Sequence, residues 1–411
     1  MPDGRGLPRL VYIGDVGICD RGNGPRILKT LLETYPAGKL HVELSDFWSW
    51  PDDDRLAGVT YEQFAIRWRR LNFGRLYGWM TTQCLLASKR RAKRLAKKLE
   101  PFGPQGILTV TAGPSWLLAA HTARWLRVPL HLILHDDLRY CCAIAPRFDR
   151  WLERQFRAVY LEAVSRFCVS PSMEEYYRGR FGAPGTVLYP NKGVTDLNIS
   201  IQVRGRGQFT AAYAGNISSK HYVAVLSRIA CALAAVGGKL LIYALTDPNA
   251  PHLAALQRPN VEIRGRIPSR ELRLRLAVEA DLLVVPMSFA PADEVNTRIS
   301  FPSKLADYTS VGLPLLVLGP PYCSAVRWAR EFPDAAIAIS SPNDDSDLVA
   351  SLKRLASDPE YRRRLAQGAA DAGNACFTHR GAFQVFSNAL CAALRHHGST
   401  DRNPDRQPSL P

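Results

Sequence analysis

Short apolar runs, each followed by a polar loop and a helical stretch, recur along almost the whole chain. This rhythm limits the fold more than any other feature of the sequence. Residues 10–13, 41–44, 107–111, 130–134 and 167–170 read as buried strands, with helical segments between them, the first over 25–35. Strands this short and this uniformly apolar suit a parallel sheet covered by helices on both faces. The rhythm restarts after a polar stretch. Strands are expected over 210–214, 240–244, 261–263, 282–286, 315–318 and 336–339, and helices over 222–236, 269–278, 346–357 and 360–373.

With 411 residues, 46% of them hydrophobic, the chain is long enough for two α/β cores. The expected division is a first domain over 1–190, a linker over 191–209 and a second domain over 210–375. A C-terminal helix over 376–398 would return to the first domain, and 399–411 would be a disordered tail. Two such halves would face a cleft at the carboxyl ends of their sheets, where ligands of open α/β sheets bind. Nine cysteines are scattered without a CxxC pair, so structural zinc and redox motifs find no support. Reduced cysteines, no signal-like N-terminus and no long apolar run lead to the expectation of a cytoplasmic protein without a membrane span. The net charge of +16 points to acidic partners.

Candidate chemistry follows the strands. RISFPSKLADYTSVGLPLLVL, from Arg298 to Leu318, reads as a loop, a helix, a turn and a strand. Ser303, Lys304 and Asp307 fall at the start of that helix. Amides, a cation and a carboxylate together suit an anionic group with a hydroxylated neighbour, as in a nucleoside diphosphate. Gly14, Asp15 and Gly17 form a glycine loop after the first strand; the spacing is too short for a dinucleotide fingerprint. His135-Asp136-Asp137 follows another strand and suits substrate contact or proton handling by His135, a metal, or a plain helix cap by one of the acids. Residues 111–115, TAGPS, end a further strand and are candidates for the acceptor side.

Residues 61–98 hold eleven Lys/Arg against one acid, Glu62, with Trp68, Phe73, Tyr77 and Trp79 interleaved. From Leu85 the apolar positions recur at helical spacing. Basic and aromatic residues on an amphipathic helix suit an anionic membrane surface. No DNA or RNA motif accompanies them, so nucleic acid is not an expected partner.

In order, FCVSPSMEEYYRGRFG, TVLYPN, AAYAGNI, VEIRGRIPSRELRLRLAVEADLLVVPMS and FPSKLADYTSVGLPLLV resemble family 4 glycosyltransferases of the GT-B fold. The resemblance covers most of the chain and is strongest from Phe167 to Leu318. It implies two Rossmann-like domains facing a central cleft, the first on the acceptor side and the second binding the nucleotide-diphosphate sugar. It also implies a retaining transfer to a hydroxyl acceptor without a metal or other cofactor. Residues Gly215, Asn216, Lys220, Arg264, Gly265 and Arg266 take the positions of donor-binding residues, with Ser303, Lys304 and Asp307. The Gly14 loop lies beside the donor phosphates and the acceptor. His135 and Lys304 are the candidate catalytic residues.

The chain departs from the family pattern at three places. The family has two glutamates with seven residues between them; here the positions hold Ile299 and Asp307. The arginine after the Gly215 position is Asn216, and the following lysine is matched by Lys220 at shorter spacing. Asp293 or Glu294 are candidates to replace the missing acid. Three outcomes remain open at this level: a transferase acting on a lipid-linked or polysaccharide acceptor at the inner membrane face, a GT-B-like binding or assembly protein without transfer activity, and a nucleotide-sugar epimerase.

Overall fold

The computed structural model describes residues 6–20, 22–50, 54–66, 76–194, 200–201, 207–217, 219–244, 250–265 and 267–400. Arg266, Trp68, Phe73 and most of the expected linker lie outside the described residues. The chain divides into two compact units: the residues up to Leu188 together with those from Arg380 on, and Tyr189–His379.

The first unit contains β1 (Leu10–Gly14), α1 (Asn23–Leu32), β2 (Leu40–Ser45), β3 (Thr60–Phe64), α2 (Tyr77–Leu99), β4 (Gly106–Val110) and α3 (Ser115–Leu126). It continues with β5 (Leu130–Leu134), α4 (Leu138–Cys141), α5 (Asp149–Glu162), β6 (Ser165–Cys168), α6 (Pro171–Phe181) and β7 (Thr186–Val187). All its strands are parallel, in the order β3-β2-β1-β4-β5-β6-β7. The order reverses direction between β1 and β4, which makes a switch point.

The second unit contains β8 (Thr210–Ala214), α7 (Lys220–Ala235), β9 (Lys239–Tyr243), β10 (Val261–Arg264), α8 (Ser269–Glu279), β11 (Leu282–Pro286) and α9 (Glu294–Ile299). After these come α10 (Lys304–Tyr308), β12 (Leu315–Leu318), α11 (Ser324–Glu331), β13 (Ala336–Ile339), α12 (Ser346–Ser357) and α13 (Pro359–Cys376). Its order is β10-β9-β8-β11-β12-β13, again all parallel, with the switch between β8 and β11.

The central strands are buried at every residue, as their apolar runs require: β1 by LVYIG, β5 by LHLIL, β11 by LLVVP. Registers are flush. Gly14 lies beside Leu44 and Val110 beside Ile133, so the loops after β1, β2, β4 and β5 leave from one edge.

Three local expectations need correction. β3 is a strand within the basic segment; it lies at the sheet edge with an irregular burial pattern, so no apolar run marks it. The basic helix starts at Tyr77, two turns before Leu85. Arg298 and Ile299 end a short helix where a loop is expected, and the helix at Lys304 is only five residues long. Pro302 explains the break, because its ring disfavours helix at the residue before it.

α14 (His379–Thr400) supplies Phe383, Phe386 and Leu390 to the core of the first unit. The Phe386 ring is fully buried, 5.4 Å from Phe167 and 6.5 Å edge-on to Tyr35. The far end of α2 is tied to the same sheet by Lys98, whose Nζ is 2.8 Å from Glu43 Oε1 and also pairs with Glu62. No described helix is long and apolar enough to cross a membrane. Phe386→Ala should cost about 3–5 kcal/mol, the usual range for emptying a buried aromatic site. Urea denaturation followed by circular dichroism measures this, and a loss below about 1 kcal/mol would mean that α14 contributes little to the core.

Candidate functional site

Lys304 stands at the switch point of the second unit. Its side chain crosses the carboxyl end of β8. A Cβ on Gly215 would fall 2.0 Å from Lys304 Cε and 2.7 Å from Nζ, so only glycine leaves room for this lysine. Two tyrosines build the cradle. Tyr213 Oη donates to the Asn216 carbonyl at 2.8 Å, and its ring centroid is 5.3 Å from Lys304 Nζ. Tyr308 Oη accepts from the Ala214 amide at 2.7 Å, which ties α10 to the end of β8.

Lys304 is half-buried and makes no hydrogen bond or ion pair among the described residues. Loss of hydration lowers its pKa to about 8, and Asp307 in the next turn opposes that shift. A cation held in place with little hydration and no hydrogen-bonded partner among the described residues has the chemistry to pair with an anion. Because α10 is so short, its dipole adds little. Ser303 precedes Lys304 without capping the helix, and both Ser303 and Asp307 are half-buried.

The other expected donor residues are placed unequally. Asn216 and Lys220 are exposed near Gly215, Lys220 as the first residue of α7. Arg264 is committed elsewhere: Nε donates to Glu262 at 2.7 Å, Nη1 donates to Tyr243 Oη at 2.8 Å, and Glu279 pairs with the same nitrogen. Gly265 is exposed with open space around it. Ile299 is fully buried and has no polar atom to offer a sugar. Of the two acids near it, Glu294 pairs with Arg298 at 2.7 Å, while Asp293 Oδ2 lies 2.8 Å from His221 Nδ1 on the first turn of α7. The His221–Asp293 pair lies outside the motifs named above; Tyr213 and Tyr308 lie within AAYAGNI and FPSKLADYTSVGLPLLV, but nothing in those stretches marks their contacts with Lys304 and Ala214.

In the first unit, Asp15 is fully buried. Its carboxylate accepts from Ser115 Oγ at 2.6 Å, from the Ser115 amide at 2.7 Å and from Ser45 Oγ. It therefore fastens together the loops after β1, β2 and β4. Burial raises its pKa to about 6 against the pull of these hydrogen bonds. The glycines beside it answer internal packing. A Cβ on Gly14 would meet Tyr12 Oη at 2.3 Å, and one on Gly17 would meet the Trp50 ring at 2.6 Å.

His135 closes the group. It is 9% exposed, its Nε2 has no hydrogen-bond partner, and burial lowers its pKa to about 4, so the ring is neutral near pH 7. Its Nδ1 lies 3.8 Å from the Cβ position of Gly24 in the first turn of α1. Asp137 caps α4 by accepting from the Arg139 amide at 3.1 Å.

Neither a protein-family model nor a curated protein matches the sequence. Solved structures share the fold. HepE of Anabaena, in complex with UDP and glucose, is similar at a TM-score of 0.68 and 15% identity, over 93% of this chain and 99% of that one. The α,α-trehalose 6-phosphate synthase of Burkholderia multivorans follows at 0.66 and 14%, over 98% and 100%. The lipopolysaccharide outer core galactosyltransferase WaaB reaches 0.60 at 15%, over 93% and 99%. These are GT-B glycosyltransferases, and this chain has the two Rossmann-like α/β domains of their fold. At such identities the likeness is one of fold.

Two pH experiments probe the charged groups. Asp15 has a raised pKa in the folded state, so its contribution is full below about pH 4 and is lost as pH rises through about 6. Relative to Asp15→Asn, the wild type should lose ~3 kcal/mol of stability across that window; parallel denaturation profiles would refute this. Lys304 has a lowered pKa, so its burial cost is present below about pH 8 and fades as pH rises towards 10.5. Lys304→Met should raise the melting temperature at pH 7 by about 2–4 °C, and the gap should close in alkaline buffer.

Proposed function

We propose that this chain is a retaining glycosyltransferase, similar to family 4, that moves a sugar from a nucleotide-diphosphate sugar to a hydroxyl acceptor. The observation that carries the reading is the Lys304 amine, held against Gly215 at the switch point of the second sheet without a hydrogen-bonded partner. In this reading the second domain binds the donor and the first the acceptor. The diphosphate lies on Lys304 and Ser303, and Asp307 accepts from the ribose hydroxyls. Gly215, Asn216, Lys220 and the turn at Gly265 line the remainder.

As the bond between the anomeric carbon and the diphosphate oxygen breaks, negative charge grows on the leaving group. A cation already fixed there stabilises that charge more than the ground state, which lowers the barrier. The acceptor hydroxyl attacks the same face of the sugar, and its proton passes to the departing diphosphate. His135, neutral and with an open Nε2, contributes a hydrogen bond to a sugar or acceptor hydroxyl. Ile299 offers no acid at that position; of the candidates to replace it, Asp293, beside His221, is the acid to test first.

The GT-B neighbours support this reading: one is solved with UDP and glucose, another is a lipopolysaccharide galactosyltransferase. A lipid-linked or polysaccharide acceptor, met at the cytoplasmic face of an anionic membrane, agrees with the exposed basic face of α2. The burial of Ile299 favours one alternative, a binding or assembly protein of the same fold without transfer activity. The epimerase reading loses ground because Asp137 is spent on a helix cap.

The test begins with thermal shift against UDP, GDP, ADP and TDP and their sugars. One nucleoside diphosphate should stabilise the wild type, and Lys304→Met should lose that stabilisation. Its affinity should hold below about pH 8 and fall above it, as Lys304 loses its proton. Incubation of the matching sugar donor with lipid and glycan acceptors then separates the readings: a transferred sugar supports the transferase, and nucleotide binding with no product supports the binding protein. No stabilisation by any nucleotide at millimolar concentration would overturn the transferase and favour the binding or assembly protein.

A further inference from the structure

The first unit carries a cationic pocket along α2, beside the end of the edge strand β3. α2 holds seven Lys/Arg between Lys89 and Lys98 and no Asp or Glu in its 23 residues. Other helices of this chain match their surface arginines with an acid one turn away: Arg178 with Glu174, Arg275 with Glu271, Arg298 with Glu294, Arg363 with Glu360. On α2 the neighbours one turn apart are Lys89 and Lys93, Arg90 and Arg94, and Lys93 and Lys97. Each such like-charge pair works against the helix. The helix dipole favours cations only in the last turn, which accounts for Lys97 and Lys98 but not for the cations from Lys89 to Arg94.

Those cations surround a space. Lys89, Arg90, Arg91, Lys93 and Arg94 line, with Trp125 at the end of α3, a cavity of about 960 Å³. Ala65 closes it at the end of the edge strand β3, where Arg91 donates to the Ala65 carbonyl. Lys93 Nζ sits 5.3 Å from the Trp125 ring centroid, and Trp125 is 51% exposed. Among the described residues, Lys98 alone of the helix's cations pairs with an acid, Glu43 and Glu62 of the sheet.

We propose that this pocket binds a pyrophosphate-class anion, two linked phosphates carried either by a soluble compound or by a lipid headgroup. Five cations on one concave surface are far more than a single carboxylate would neutralise. Successive turns of a helix place cations about 6 Å apart, a spacing that lets adjacent phosphates be held by different turns. The arginines can bind phosphate oxygens in pairs. Trp125 offers a flat apolar wall to whatever carries the phosphates. This inference does not rest on the donor site, because Lys304 belongs to the other unit; its lipid arm deepens the proposed acceptor reading.

The experiment is calorimetric titration of inorganic pyrophosphate into the full chain carrying Lys304→Met, so that the candidate donor site does not contribute. Adding Arg90→Gln and Arg94→Gln should weaken binding about tenfold or more with an unchanged melting temperature. Sulfate at equal ionic strength should bind at least about tenfold more weakly than pyrophosphate, since one compact dianion reaches fewer of these groups. Co-sedimentation with phosphatidylcholine vesicles containing a long-chain prenyl pyrophosphate or, at equal charge, phosphatidylglycerol distinguishes the sources. A preference for the pyrophosphate lipid, removed by inorganic pyrophosphate and by the double substitution, assigns the site to a headgroup; pyrophosphate binding without that preference assigns it to a soluble compound. Pyrophosphate binding that ignores the double substitution, or that sulfate equals, would overturn the proposal.

Discussion

The contact between the Lys304 side chain and the bare Cα of Gly215 is the constraint around which the second unit's site is arranged. It demands glycine at the end of β8, because any Cβ would occupy the lysine's path. It also demands that α10 be anchored, since a lysine on a free five-residue helix would swing into water. The hydroxyl of Tyr308 at the Ala214 amide supplies the anchorage, and that of Tyr213 at the Asn216 carbonyl holds the loop after Gly215. The cost is a poorly hydrated ammonium. Natural proteins keep such groups where binding compensates for them, and a depressed lysine pKa at the switch point of an α/β sheet is a physical reason to look for a ligand there.

The strands of both sheets were legible because each is a short apolar run between breakers, and burial on both faces leaves little choice of residue. β5, β8, β11, β12 and β13 fall where the pattern places them. β3 was not legible. An edge strand is half-solvated, so its residues TYEQF carry no apolar run, and the neighbouring basic stretch obscures it further. The same reasoning explains the site. Lys304 and Gly215 could be named because each sits in a local motif. That they touch could not be read, because 88 intervening residues' worth of sheet order decides it. Asp15 teaches the reverse lesson: a polar residue in a glycine loop reads as ligand-binding, yet its partners Ser45 and Ser115, distant in sequence, consume its acceptors.

Ile299 and Arg264 mark where this chain leaves the pattern it resembles. The fully buried Ile299 belongs to the core, so an acid placed there would need a partner the site does not provide. Arg264, held between Glu262, Glu279 and Tyr243, fixes the end of β10 through its own fold and has few donors left for a ligand. Among the described residues of the first unit, the Nε2 of His135 is the clearest polar group that retains an open valence.

The two cationic features differ in a way that separates their functions. Lys304 is a single charge with restricted hydration, so its attraction to a diphosphate is strong at short range and weakly screened by salt. The α2 cations are mostly exposed, and their attraction falls away over a Debye length of about 8 Å at physiological ionic strength. An exposed cluster acts first on encounter and steering, whereas an enclosed charge acts on a bound group whose charge is changing. On the proposed reading, salt should therefore weaken anion binding on α2 while leaving diphosphate binding at Lys304 nearly untouched.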